Sequence, residues 1–193
     1  MKYRLATSTW DSFEFDAIQK VIDSDQYTMG RQVKNFEQAC TRYFNSAFAV
    51  MVNSGSSANL LSVAALMYHS KFNLKPGDEV IVPAVSWSTT YFPFHLYGLK
   101  LKFVDISIDS LNLDLNKVEE AVGQQTRAIC AVNLLGAPND FDRLNSICAK
   151  HNLLLLEDNC EAMGAKYNRK FTGTFGICGA MSTFFSHHIC TIE

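Results

Sequence analysis

The sequence predicts an α/β fold in which a mostly parallel central sheet carries helices on both faces. Three observations lead there. Segments of helical period alternate with short apolar runs about six times along the 193 residues. No apolar run approaches the roughly 20 residues that a membrane span needs. Polar clusters stand directly after four of the runs, and in such sheets the carboxyl ends of strands line the ligand cleft.

The elements follow in order. Residues 13–23 have the spacing of an amphipathic helix with Phe13, Ile18, Val21 and Ile22 on its buried stripe, and residues 32–44 form a second helix. Phe48-Ala49-Val50-Met51-Val52 is an apolar strand, followed by a helix of good formers over 58–69. The turn Lys75-Pro76-Gly77-Asp78 leads into a strand over 79–82. Residues 100–104, 127–132, 152–156 and 180–185 are further strands, with helices over 116–122 and 139–150 between them. No internal repeat or low-complexity linker interrupts the alternation.

Composition narrows the function classes. Hydrophobic residues make up 48% and charged residues 19%, enough for a real core. A net charge of −2 leaves no basic field for nucleic acid or an anionic membrane surface. Met1-Lys2-Tyr3-Arg4-Leu5 lacks the apolar core of a signal peptide. The six cysteines form no CxxC pair, so zinc and iron–sulfur ligation are unsupported, and reduced buried thiols in a cytoplasmic protein are expected.

Four polar clusters carry the chemistry. Asn53-Ser54-Gly55-Ser56-Ser57 precedes a helix, where small residues and free N–H groups can cup a phosphate; a plain N-cap explains the same residues. Pro83-Ala84-Val85-Ser86-Trp87-Ser88-Thr89-Thr90 sets a tryptophan among hydroxyls, either as a platform for a flat ring or as ordinary packing. Glu157-Asp158-Asn159-Cys160-Glu161 brings carboxylates to a strand end, facing a ligand or forming a capping box from Asp158 to Glu161. Ser186-His187-His188 follows the last strand, and two adjacent histidines in extended chain point to opposite sides, so one faces the cleft.

Together and in this order, these clusters resemble the nucleotide-sugar aminotransferase branch of the aspartate aminotransferase superfamily, fold type I, and most of all its keto-sugar 3-dehydratases. The segments Tyr27-Thr28-Met29-Gly30-Arg31 and Lys75-Pro76-Gly77-Asp78-Glu79-Val80-Ile81-Val82-Pro83 are similar as well, and the likeness runs from about residue 3 to residue 193. In that family the residue six positions before a strand-end glutamate is the lysine that holds pyridoxal phosphate (PLP). Counted back from Glu193, the position is His187.

The resemblance implies the rest. Imidazole cannot form a Schiff base, so the cofactor would be held non-covalently, as pyridoxamine phosphate (PMP) cycling with PLP. His187 would serve as the general base for loss of the C3 hydroxyl from a nucleotide-linked 4-keto-6-deoxyhexose, GDP-4-keto-6-deoxymannose foremost, in deoxysugar and O-antigen biosynthesis. Asp158 would pair with the ring nitrogen, Trp87 would stack on the ring, and Gly55, Ser56, Ser57 and Ser182 would hold the phosphate. Glu161 would stand near the cofactor amine, and Tyr27 and Thr28 near the substrate. L-glutamate would regenerate PMP; a more distant branch uses an iron–sulfur centre instead.

The resemblance also implies a homodimer whose sites borrow residues from the partner. It makes residues 1–193 the N-terminal segment and large cofactor-binding domain, with the C-terminal small domain missing. The stretch Gly176-Ile177-Cys178-Gly179-Ala180-Met181-Ser182 departs from the family's Gly-Asp-Ile-Gly-Thr-Phe-Ser but keeps Ser182. Two alternatives stand beside this reading: a PLP-dependent sugar aminotransferase, whose lysine would have to come from Lys166 or Lys170 in a loop, and an inactive nucleotide-sugar-binding remnant.

Overall fold

Strand side chains alternate between the two faces of a sheet, and here both faces are apolar along the same strands, so helices are needed on each side. The computed structural model, which describes residues 8–191, shows that arrangement. Five parallel strands lie in the order β2-β1-β3-β4-β7. They are β1 (Glu79–Pro83), β2 (Lys100–Val104), β3 (Thr126–Val132), β4 (Leu154–Asp158) and β7 (Cys178–Ala180). A two-stranded hairpin, β5 (Lys166–Tyr167) and β6 (Lys170–Phe171), stands apart, so Lys166 and Lys170 belong to strands rather than to a loop.

The alternation divides the core in two. Val80, Val82, Ala128, Cys130 and Leu156 face Val63 and Leu66 of α3 (Gly55–Tyr68) and Phe94 of α4 (Ser88–Leu96). Ile81, Ile129, Ala131 and Leu155 face Val118 of α5 (Leu115–Ala121) and Phe141, Leu144 and Ile147 of α6 (Phe141–His151). Each fully buried Val, Leu, Ile or Phe among them contributes about 1.5–3 kcal/mol. Register then sets the ends of the strands level: Pro83 pairs with Val104, Val132 with Asp158, and Asp158 with Ala180. The polar clusters that follow β1, β4 and β7 therefore meet on one edge.

Several expectations are corrected. Residues 48–52 form no strand: Phe48 and Val50 are 86% and 65% exposed, and no strand lies beside them among the described residues. Their anchor is Met51 N–H, donating to Glu37 at 2.8 Å from α2 (Arg31–Phe44). The last strand lies at 178–180 rather than 180–185, because the chain turns after Ala180 instead of pairing on along β4. The four leucines start β4 later than expected, and its last two places go to Glu157 and Asp158, which find buried partners.

No residue of α1 (Ser12–Asp23) is buried; of the expected stripe, Phe13 and Ile22 are exposed and Ile18 and Val21 are partly covered, because α1 packs against neither core cluster. Asp11 and Glu14 cap it as a reciprocal box. The six thiols are free, with Cys130 and Cys148 buried. No helix among the described residues is long and apolar enough to cross a membrane. Glu193 and residues 1–7, on which the count to His187 and the reading of the N-terminus rest, lie outside the described residues.

Candidate active site

Because side chains alternate, the neighbours Glu157 and Asp158 leave β4 on opposite faces. Asp158 points toward α3 and α4. Its Oδ2 accepts Asn59 Nδ2–H at 2.9 Å and the Thr90 hydroxyl at 2.8 Å, and its Oδ1 accepts Cys160 N–H at 3.2 Å. No helix follows Asp158 and none of its bonds goes to residue 161, so the capping-box explanation is set aside. Cys160 lies next to it; burial, then the charge of Asp158, pushes that thiol far above the usual range, so it is held protonated.

Glu157 faces the other side. Its Oε1 accepts Phe175 N–H at 2.6 Å and Gly176 N–H at 2.7 Å, and its Oε2 accepts Gly173 N–H at 2.6 Å. Burial pushes its carboxyl upward while these N–H groups pull the other way. The result is a clamp on the loop that enters β7.

Ser54, not the residues after it, is the N-cap of α3: its hydroxyl accepts Ser57 N–H at 3.1 Å. Gly55, Ser56 and Ser57 make the first helical turn. The amides of Gly55 and Ser56 have no acceptor among the described residues, and the positive end of a 14-residue helix lies behind them. A side chain at Gly55 would come within 2.8 Å of Cys160 Sγ and 2.9 Å of Ser182 Cβ. Glycine is needed there because β7 delivers buried Ser182 against the start of α3. The hydroxyl of Ser182 accepts Phe184 N–H at 3.2 Å.

Trp87 stands at the N-cap of α4 and is 74% exposed, which removes ordinary packing as its explanation. Glu161, half-buried, accepts Leu135 N–H at 2.9 Å. His187 lies on a loop pinned at its base by Thr191 N–H to Thr183 O at 3.0 Å, and by Trp10 Nε1–H to Cys190 O at 3.2 Å. His187 is half-buried and its Nδ1 is buried without a partner, whereas His188 is exposed. Its ring meets Phe184 edge-on with centroids 5.7 Å apart. Tyr27 and Thr28 are not brought to these residues; they line a groove of the α1–α2 region with Lys20, Gln26 and Arg31.

Sequence reading missed Asn59, Thr90 and the clamp of Glu157. The available signal was a lone asparagine in the apolar run of α3 and a threonine that proves fully buried.

Residues 9–193 match the DegT/DnrJ/EryC1/StrS aminotransferase family. The chain belongs to that family. Within it, the chain is 56% identical, over all 193 residues, to the GDP-4-keto-6-deoxy-D-mannose 3-dehydratase of Escherichia coli O55:H7, of which it spans 50%. A crystal structure of GDP-4-keto-6-deoxymannose-3-dehydratase with a trapped PLP–glutamate geminal diamine superposes with a TM-score of 0.96 at 56% identity, covering 100% of this chain and 50% of that one. A structure of ColD, a GDP-4-keto-6-deoxymannose-3-dehydratase, with a histidine changed to lysine and the serine just before it changed to asparagine gives 0.94 at 55% identity, covering 97% of this chain and 49% of the other. The chain thus spans about half the length of the family members it matches.

Proposed function

We propose that the chain is the cofactor-binding half of a PMP-dependent 3-dehydratase acting on a nucleotide-linked 4-keto-6-deoxyhexose, GDP-4-keto-6-deoxymannose foremost. The observation that carries this reading is His187, an imidazole with a buried, unpartnered Nδ1 on the loop that follows β7 and Ser182, the serine that packs against the start of α3. The residues fit a phosphorylated aromatic cofactor. The Gly55 and Ser56 amides, with Ser57 and Ser182, suit its phosphate; Asp158 suits its ring N–H; exposed Trp87 suits its ring face; Glu161 would stand near its amine. When bound, PMP supplies an amine for the sugar ketone and an electron sink for departure of the C3 hydroxyl.

The chain's own part is positional, except at His187, which takes the proton on its imidazole. The ColD variant altered at a serine–histidine step supports choosing His187 over His188, because Ser186-His187 is the one such step in this sequence. The trapped glutamate adduct of the relative supports L-glutamate as the amino donor. Lys166 and Lys170 lie on the β5–β6 hairpin, with their ammonium groups over Phe171 and Phe175 at 4.2 and 4.5 Å, which argues against an aminotransferase lysine. Tyr27 and Thr28 remain the proposed substrate contacts. The reading includes a second copy of the chain, a further small domain and a cytoplasmic location.

The test is formation of a 3-deoxy sugar from GDP-4-keto-6-deoxymannose with PMP and L-glutamate, in a protein extended to the length of its relatives. Substitution His187→Asn should abolish it. An amino sugar as product, or full dehydration by the variant, would overturn the reading.

A further inference from the structure

The carboxylate of Asp158 is 6% exposed, and among the described residues no lysine or arginine pairs with it. Its partners are neutral. A buried carboxylate without a cation persists where neutral donors satisfy it, as the backbone N–H groups do at Glu157; at Asp158 the donors leave an acceptor position over. A carboxylate offers about four lone-pair positions. Asn59 and Thr90 fill both on Oδ2 and Cys160 N–H takes one on Oδ1, which leaves one on Oδ1 for which the weakly donating Cys160 thiol is the competitor.

The two donors on Oδ2 come from separate helices, 99 and 68 residues away in sequence, and both are buried, Asn59 at 9% and Thr90 at 1% exposure. Thr90 has a single hydroxyl proton. Since it goes to Asp158, the 2.8 Å contact between Ser86 and Thr90 must run with Ser86 as donor. The chain Ser86 to Thr90 to Asp158 is therefore directional, and it reaches back to the loop that carries Trp87.

We propose that Asn59 and Thr90 are positioning residues that fix the plane of the Asp158 carboxylate, so that its one open acceptor meets the ring N–H of the cofactor. This rests on the function proposed above. The clamp acts through Asp158 and touches no reacting atom.

The experiment is titration of the purified protein with PMP, followed by fluorescence and by the nitrogen-15 shift of ring-labelled PMP, alongside thermal melting without PMP. Thr90→Val and Asn59→Leu should each weaken PMP about tenfold, the size of one hydrogen bond to a charged group, and should move the ring nitrogen shift. Thr90→Ser should restore both. In an Asp158→Asn background neither substitution should matter further. Parent-like PMP affinity in Thr90→Val, or an equal loss in the Asp158→Asn background, would overturn the clamp. Parent-like affinity in Asp158→Asn alone would instead remove Asp158 as the cofactor's partner, and the function proposed above would fall together with the clamp.

Discussion

The carboxyl end of β4 and the loop after β7 both carry residues proposed for catalysis, yet they are built in opposite ways. At the end of β4 both carboxylates are buried and partnered: Glu157 holds three backbone N–H groups and Asp158 accepts three donors. The loop over 181–191 is pinned at its base, but Phe184, Phe185 and Ile189 are 40–54% exposed and His187 keeps a buried nitrogen without a partner. The first region is held by its own chain down to one acceptor position on Asp158, and sets geometry. The second has unused bonding capacity, which is what a catalytic base needs before its substrate arrives.

Substitutions can break that contrast. The largest effect is expected at Glu157→Ala, which strands three partly buried N–H groups and should cost about 3 kcal/mol in urea unfolding; a loss under about 1 kcal/mol would show that the clamp on 173–176 is dispensable. Gly55→Ala drives a methyl into Cys160 and Ser182. It should cost about 2 kcal/mol and weaken PMP binding in parallel, and retention of both would separate Ser182 from the phosphate cup.

Trp87→Ala and His187→Ala should each change stability by less than about 0.5 kcal/mol, because neither packs in the core. The tryptophan variant should still bind PMP several-fold more weakly by fluorescence titration. A large stability loss at either position would mean that it is structural after all.

Smallest is the effect on thiol labelling. Burial pushes Cys148 up to about 11, so it should resist iodoacetamide at pH 8 while Cys190 of the loop is alkylated. Equal labelling rates by mass spectrometry would mean that the core opens as readily as the loop.

How much of this was legible in the sequence depends on whether a residue's partner is close along the chain. The α/β alternation and the cluster at 157–161 are local patterns, and the structure places them near where they were read. The strand at 48–52 failed because a short apolar run specifies a strand only if another lies beside it. The stripe of α1 failed for a similar reason: amphipathic spacing shows that a face can be buried, not that something covers it. Asn59 and Thr90 gave almost no signal, since a buried hydroxyl or amide in a helix shows its purpose only when a carboxylate 68 or 99 residues away closes on it. The capping-box alternative for Asp158 and Glu161 stayed open because the leucines alone do not show that β4 runs on through Glu157 and Asp158.

The most direct test of the central claim combines His187→Lys with borohydride reduction in the presence of PLP, read by intact-mass and peptide mass spectrometry. The parent protein should carry no pyridoxyl adduct, and the variant should carry one at residue 187. An adduct on a native lysine of the parent, or none on the variant, would contradict the placement of an imidazole at the seat of the anchoring amine.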